Sequence, residues 1–242
     1  MLEGLYSAGA GMEAAQEQLS AVSNNIANEN TPGYQAEILG FHDLLYTTDD
    51  DAPSNAIVGA GASSSTLGFS QAQGSLQQTG NPLDLALTGS GYFQVREADG
   101  STALTRNGSL QLNSRGQMTT SLGMELVPPI TLPKGTQPSQ VQVAADGTVS
   151  VGNQKVGQIK IVQVSAPDKL LPRGNSVYGV TTASGPVKAA RGVTMQQGHL
   201  EQSNVDLNTE ISDMMTAQQA YNMGSRAVQM QAQLGQIAAT LK

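Results

Sequence analysis

Apolar residues recur with helical spacing along the two ends of this chain, and most of what lies between them reads as β-strand and turn. From the amino terminus, Leu5, Met12, Leu19 and Ile26 follow one another at heptad intervals, with Ala8, Ala15 and Val22 set between them. Alternating steps of three and four draw one narrow apolar stripe along a helix, the pattern of a coiled-coil seam. From about Asn204 to Lys242 the carboxyl end carries two such stripes. Leu207, Ile211, Met214, Tyr221 and Val228 form one; Met223, Ala227, Met230, Leu234, Ile237 and Leu241 form the other, on a shifted face. A helix with two apolar faces needs more than one neighbour. An isolated amphipathic helix is marginal in water, because most of its stability comes from packing. The ends must therefore pack, either on each other within one chain or against the ends of other copies. The spacing alone leaves both open.

The first helix is expected to stop near Asn28, since Thr31-Pro32-Gly33 follows and proline cannot continue a helix. Asn24, Asn25, Asn28 and Asn30 crowd that end and read as a frayed terminus, or alternatively as amide groups for contacts to neighbouring backbones. Tyr34 to Tyr46 is a second amphipathic piece. Residues 47–75, with Asp49-Asp50-Asp51, Pro53 and Gly59-Ala60-Gly61, read as an extended linker or loop. Three consecutive carboxylates lack the spaced ligands of a calcium loop, so they are expected to be a solvated tip.

Over residues 76–203 the period changes to two. Leu83, Leu85 and Leu87 alternate, Gly89-Ser90-Gly91 turns into Tyr92-Phe93-Gln94-Val95, and Asp99-Gly100, Asn107-Gly108, Asn113 to Gly116 and Asp146-Gly147 carry hairpin-turn signals. The expected fold is α+β. Residues 1–46 and 204–242 form a coiled-coil-like helical domain, and 76–203 form an intervening antiparallel β domain.

Charge and composition exclude several functions. No Lys or Arg precedes Arg96, so residues 1–95 carry ten acidic side chains and no basic one, while the remainder has a net charge of +3. A phosphate-binding surface needs clustered Lys and Arg, which argues against nucleic acid as a partner. Cysteine is absent, which removes disulfides and thiolate chemistry. The first residues lack the basic flank and apolar core of a cleavable signal peptide, and no stretch approaches the roughly 18 apolar residues of a spanning helix. His42 and His199 stand apart from any nucleophile or carboxylate motif and read as surface residues. Gly89-Ser90-Gly91 opens a strand, whereas a phosphate-cradling loop opens a helix. Asp84 and Asp146 read as turn chemistry. No catalytic, cofactor or metal site is expected.

The chain resembles the flagellar rod proteins of the hook–basal-body family in several places and in the family's order. Leu5-Tyr6-Ser7-Ala8-Gly9-Ala10-Gly11-Met12 is similar to its first helix, and Ser23-Asn24-Asn25-Ile26-Ala27-Asn28-Glu29-Asn30-Thr31-Pro32-Gly33-Tyr34 to its N-terminal signature, the most specific match. Phe41 to Tyr46, Thr79 to Leu87, Gly89 to Val95, Thr105 to Leu110, Gly198 to Asp206 and Gln218 to Tyr221 follow in place. One departure is Gln35-Ala36, where relatives often carry a basic residue, so contacts made by such a side chain do not carry over. The length favours rod over hook, and the Gly80 to Asp84 and Tyr92 to Val95 segments resemble distal more than proximal rod.

The resemblance implies a structural subunit that polymerises helically into the periplasm-spanning rod and carries torque from motor to hook. It implies contacts with its own copies, with other rod and hook proteins and with surrounding ring proteins, and exit through the flagellar type III export apparatus. The candidate assembly interface is Leu5, Met12, Leu19, Val22, Ile26, Leu207, Ile211, Met214, Tyr221, Val228 and Leu234. The rival reading is a secreted β-rich binding module, monomeric, whose terminal helices pair within the chain.

Overall fold

The computed structural model describes residues 2–43, 46–48, 57–59 and 61–240. They divide into two compact units, each assembled from distant parts of the chain. One gathers Met1–Ala27, Glu37–Leu67 and Asp206–Lys242; the other gathers Asn28–Ala36 and Gly68–Val205.

The first unit is built on two long helices, α1 (Leu2–Ala27) and α2 (Leu207–Thr240). Asp206 caps α2: its Oδ1 accepts the backbone N–H of Asn208 at 3.0 Å and of Thr209 at 3.4 Å. That satisfies donors which the first turn of a helix otherwise leaves orphaned. A two-stranded ribbon, Glu37–Asp43 with Ala62–Phe69, completes the unit. A short antiparallel pair, Tyr46–Thr48 with Ile57–Gly59, extends from it. Strand therefore occupies much of the stretch expected as linker. The reason lies in composition: Ser63-Ser64-Ser65-Thr66 is small and polar, and it hydrogen-bonds to α1 and to the partner strand instead of to water. Thr66 Oγ1 donates to Glu37 at 2.8 Å, and the Ser64 hydroxyl donates to Glu17 on α1. The triple aspartate at 49–51 lies outside the described residues.

The second unit is antiparallel throughout. Its main sheet has nine strands, running in order from Leu171–Pro172 through Val177–Gly179, Thr102–Thr105, Tyr92–Arg96, Glu125–Leu126 and Met118–Thr120 to Leu110–Leu112. Ile161–Gln163 and Lys188–Ala189 join on one flank. A separate three-stranded meander holds Val141–Val143, Thr148–Val151 and Gln154–Gln158. Both faces of the main sheet are covered. Phe93, Val95, Leu85, Leu87, Leu110 and Met118 fill one apolar cluster. Tyr92, Leu104, Val162, Leu170 and Tyr178 fill another. Outside the main sheet, strand Leu85–Thr88 pairs with Thr194–Gln197, and its Leu85, Ala86 and Leu87 are all buried in succession, so both of its faces are covered where one-sided burial would alternate.

The turn signals at Asp99-Gly100, Asn113 to Gly116 and Asp146-Gly147 each close a hairpin, with positive φ at the glycine. Asn107-Gly108 does not. The strand before it pairs with Tyr92–Arg96 and Val177–Gly179, and the strand after it pairs with Met118–Thr120. Gly108 is needed there for close approach: a Cβ would lie 1.7 Å from the Leu85 carbonyl oxygen, whose partner N–H in turn donates to Gly108 O at 3.0 Å. Hairpin and close-packed crossover use the same dipeptide, and local sequence does not distinguish them.

Candidate assembly interface

α1 and α2 run antiparallel, in a register that three contacts fix. Gly4 lies beside Gln231, Gly224 beside Met12 and Ala8, and Asn25 beside Glu210. In each pair the two residue numbers sum to nearly the same value, as antiparallel packing requires. The crossing is close because small residues line it. Ala15, Val22 and Ala217 are buried, and a Cβ on Gly224 would come within 2.5 Å of Met12 Cγ.

A second face of α1 meets the ribbon. Ala10 packs where a Cβ on Gly61 would come within 2.9 Å, and Ala14 and Ala21 are buried along the same side. Asn25 closes the arrangement. Its Nδ2 donates to the Glu37 carbonyl at 3.1 Å and to Glu210 Oε1 at 3.0 Å, and its Oδ1 accepts the Glu37 N–H at 2.9 Å. It is 2% exposed. The asparagines are thus no frayed end at this position: Asn25 sits inside α1 and serves a strand that cannot otherwise satisfy its edge. Burial raises the Glu210 carboxyl above its ordinary value; the Asn25 amide opposes this, and Asp213 and Asp206 add to it.

The structure distributes the candidate interface residues over two environments. Leu5, Met12, Leu19 and Ile26 are half-buried on α1 and Val22 is buried; Leu207, Met214 and Val228 are half-buried on α2. Of these, Met12 lies against Gly224 across the intrachain seam. Ile211 and Tyr221 stand at its margins, both exposed, with Tyr221 in a shallow groove lined by Gln16, Leu19, Ser20, Ser23 and Asn24. Leu234 is elsewhere. With Met223 and Met230 it forms an outer stripe that is 58–65% exposed. Gln218, Asn222, Gln229 and Gln233 are also exposed on α2, and from Gln218 to Gln236 the one charged residue is Arg226. A helix so open to water and so poor in charge is unusual unless another surface covers it.

In the β unit the signature segment takes a fixed seat. Gly33 N–H donates to Glu201 O at 2.8 Å, Asn204 N–H to Tyr34 O at 3.3 Å, and Ala36 N–H to Asn204 Oδ1 at 2.7 Å. Gly33 has φ +67°, and a Cβ there would lie 2.4 Å from the Asn107 nitrogen. Glycine is required on both counts. Beneath this seat lies a buried ion pair that sequence reading missed. Arg106 Nη2 lies 2.9 Å from Glu201 Oε2, with both side chains 3% exposed. The partners are 95 residues apart, and nothing local marks them as a pair. His42 is exposed and within 3.1 Å of Ser65, and His199 is half-buried. Among the described residues no group of three or more His, Asp or Glu could hold a metal ion, and no helix is long and apolar enough to cross a membrane.

Three stretches match known families. Residues 5–35 match the family described as flagella basal body rod protein, residues 86–151 the flagellar hook protein FlgE/F/G D1 domain, and residues 196–241 the flagellar basal body rod FlgEFG protein C-terminal family. Over 94% of both chains, the sequence is 35% identical to the flagellar basal-body rod protein FlgG of Agrobacterium fabrum. It is 33% identical to FlgG of Caulobacter vibrioides over 100% of each chain, and 30% identical to the rod protein FlgF of Escherichia coli over 93% of this chain and 92% of that one.

Proposed function

The chain belongs to the flagellar basal-body rod protein family, and from that premise we propose that it is a structural subunit of the rod that assembles helically with its own copies and with other rod and hook proteins. In this reading it carries torque from motor to hook, lies in the distal part of the rod, passes close to the surrounding ring proteins and leaves the cell interior through the flagellar type III export apparatus. The family is structural, not enzymatic, and the chemistry required of this chain is packing.

The observation that carries the proposal is the outer face of α2. The seam with α1 uses one stripe of that helix; Met223, Met230 and Leu234 remain exposed beside neutral amides. A charge on such a face would be desolvated at every repeat of an array of identical subunits. Thioethers, leucine and amides avoid that cost. Contacts between different patches of identical copies that do not close on themselves build an open helical filament. Intrachain pairing of α1 and α2 also suits the rival reading, a monomeric secreted binding module. That reading gives the outer stripe no role.

The double variant Met223→Glu, Met230→Glu separates the two. Both side chains are exposed, so the isolated chain should keep its far-ultraviolet circular dichroism, and its unfolding free energy in urea should change by less than about 0.5 kcal/mol. Cells carrying it should lack the rod beyond the point where this subunit enters, seen in purified basal bodies, and should not swim in soft agar. Complete rods with normal motility would overturn the proposal.

A further inference from the structure

Segment 28–36 belongs to the β unit, yet none of its residues enters either apolar cluster there. Polar contacts hold it, and they converge on one place. Beyond the bonds of Gly33, Tyr34 and Ala36 described above, the Ala36 carbonyl accepts Ser70 N–H at 2.8 Å, and Gln35 Oε1 accepts the Tyr92 hydroxyl at 3.0 Å. Glu201 and Asn204, on and just after strand His199–Glu201, supply three of the partners, and the Ser176 hydroxyl donates to Pro32 O at 3.4 Å.

Strand His199–Glu201 is short, and its side-chain anchor is the Glu201 carboxylate. Oε1 accepts Gly74 N–H at 3.1 Å; Oε2 accepts Arg106 Nε–H at 3.0 Å. Arg106 then reaches the other wall of the seat, donating from Nη1 to Gly91 O at 2.9 Å and from Nη2 to Gly89 O at 3.1 Å. Its guanidinium carbon lies 5.9 Å from the centroid of the Tyr92 ring, whose hydroxyl holds Gln35. One planar fork thus ties three separate stretches of chain, and segment 28–36 bonds to two of them.

We propose that Arg106 and Glu201 form a latch: their pairing holds the strand and the turn in the arrangement that receives residues 28–36, and breaking it releases that segment as a local unit while the remaining β unit stays folded. The two are positioning residues, acting on the segment through Glu201's own strand and through the turn leading to Tyr92. The inference does not depend on rod assembly. Lysine in place of Arg106 keeps the charge, but a single ammonium cannot span the Glu201 carboxylate and two carbonyls in the geometry of the fork. Glutamine in place of Glu201 keeps its shape and leaves the guanidinium buried without a counter-charge.

Native-state hydrogen exchange on the full chain tests this with Arg106→Lys and Glu201→Gln. In either variant the amides of Gly33, Ala36 and Asn204 should exchange at least about tenfold faster, while those of Val143 and Val149 in the three-stranded meander should change less than about twofold. Unchanged exchange at Gly33, Ala36 and Asn204 in both variants would overturn the latch. So would parallel acceleration across all these amides, or failure of both variants to fold, since each outcome makes the pair a support of the whole unit and not of the segment. If Arg106→Lys alone fails to fold, the Glu201→Gln pattern decides.

Discussion

The β unit and the helical unit bury different kinds of side chain. In the β unit Phe93, Leu85, Leu87, Leu104, Leu110 and Met118 are at most 1% exposed. In the helical unit the buried apolar residues are Ala14, Ala15, Ala21, Val22 and Ala217. Its larger apolar groups remain outside: ten of the twelve exposed large apolar side chains among the described residues belong to it. Apolar burial stabilises by roughly 25 cal/mol per Å² removed from water. On that scale the β unit is self-sufficient, and the helical unit keeps much of its potential stabilisation unused until something covers it. Under the proposed function, construction of this kind separates folding from association: one unit holds its shape alone, and the other gains stability from partners.

That contrast can be tested by substitution. Phe93→Ala should have the largest effect, about 3–5 kcal/mol off the β unit from the lost contacts and the cavity left behind. Native-state hydrogen exchange of the Val143 and Val149 amides, which pack in the same apolar cluster, measures it. A loss below about 1 kcal/mol would mean that the β unit is as loosely built as the helical one. Ala217→Leu comes next. Ala217 is fully buried on α2, so the larger side chain should cost about 1–3 kcal/mol by overpacking. The loss should be read in the helical signal at 222 nm and not in the exchange of the Val143 and Val149 amides. If Ala217→Leu were stabilising, the helix crossing would be looser than its small residues indicate.

The smallest effect expected is a pH dependence at Glu210. Burial raises its carboxyl above 4.5 in the folded chain, so between that value and the folded one the folded state binds more protons than the unfolded state. The contribution is therefore present at low pH and lost as pH rises through the window. Glu210→Gln should flatten this slope for the helical signal; identical slopes with and without the carboxyl would assign the dependence to other groups.

The architecture was legible from periodicity because periodicity is a local property. The heptad spacing of Leu5, Met12, Leu19 and Ile26 follows from which face a helix turns inward, and the alternation of Leu83, Leu85 and Leu87 marks a strand, although residues 83 to 87 are all buried. The residues that hold the segments together were not legible. Asn25 reads as a poor helix residue until a strand lies beside it, although its place three residues after Val22, toward the buried side, was a signal that could have been used. Arg106 and Glu201 give no such signal. The Ser-rich stretch from Ala62 to Phe69 was expected to stay unpaired because strand propensity is mostly a matter of context: small hydroxyl side chains form a strand here by bonding to α1 and to Glu37. The split of the outer residues between seam and open face also lay beyond heptad counting, since both stripes have the same period.

The antiparallel register of α1 and α2 has a kinetic side. Gly4 finds its neighbour at Gln231, and strand Leu76–Gln78 finds its partner at His199–Glu201. Both units are closed by the last part of the chain. A polypeptide released amino terminus first can therefore form hairpins early but can complete neither unit until residues near 200 and beyond have emerged. Contacts so distant along the sequence slow folding through the cost of closing long loops. For this chain the delay leaves the leading end without its partner while the rest of the chain is being made, and ties the completion of both units to the arrival of the tail.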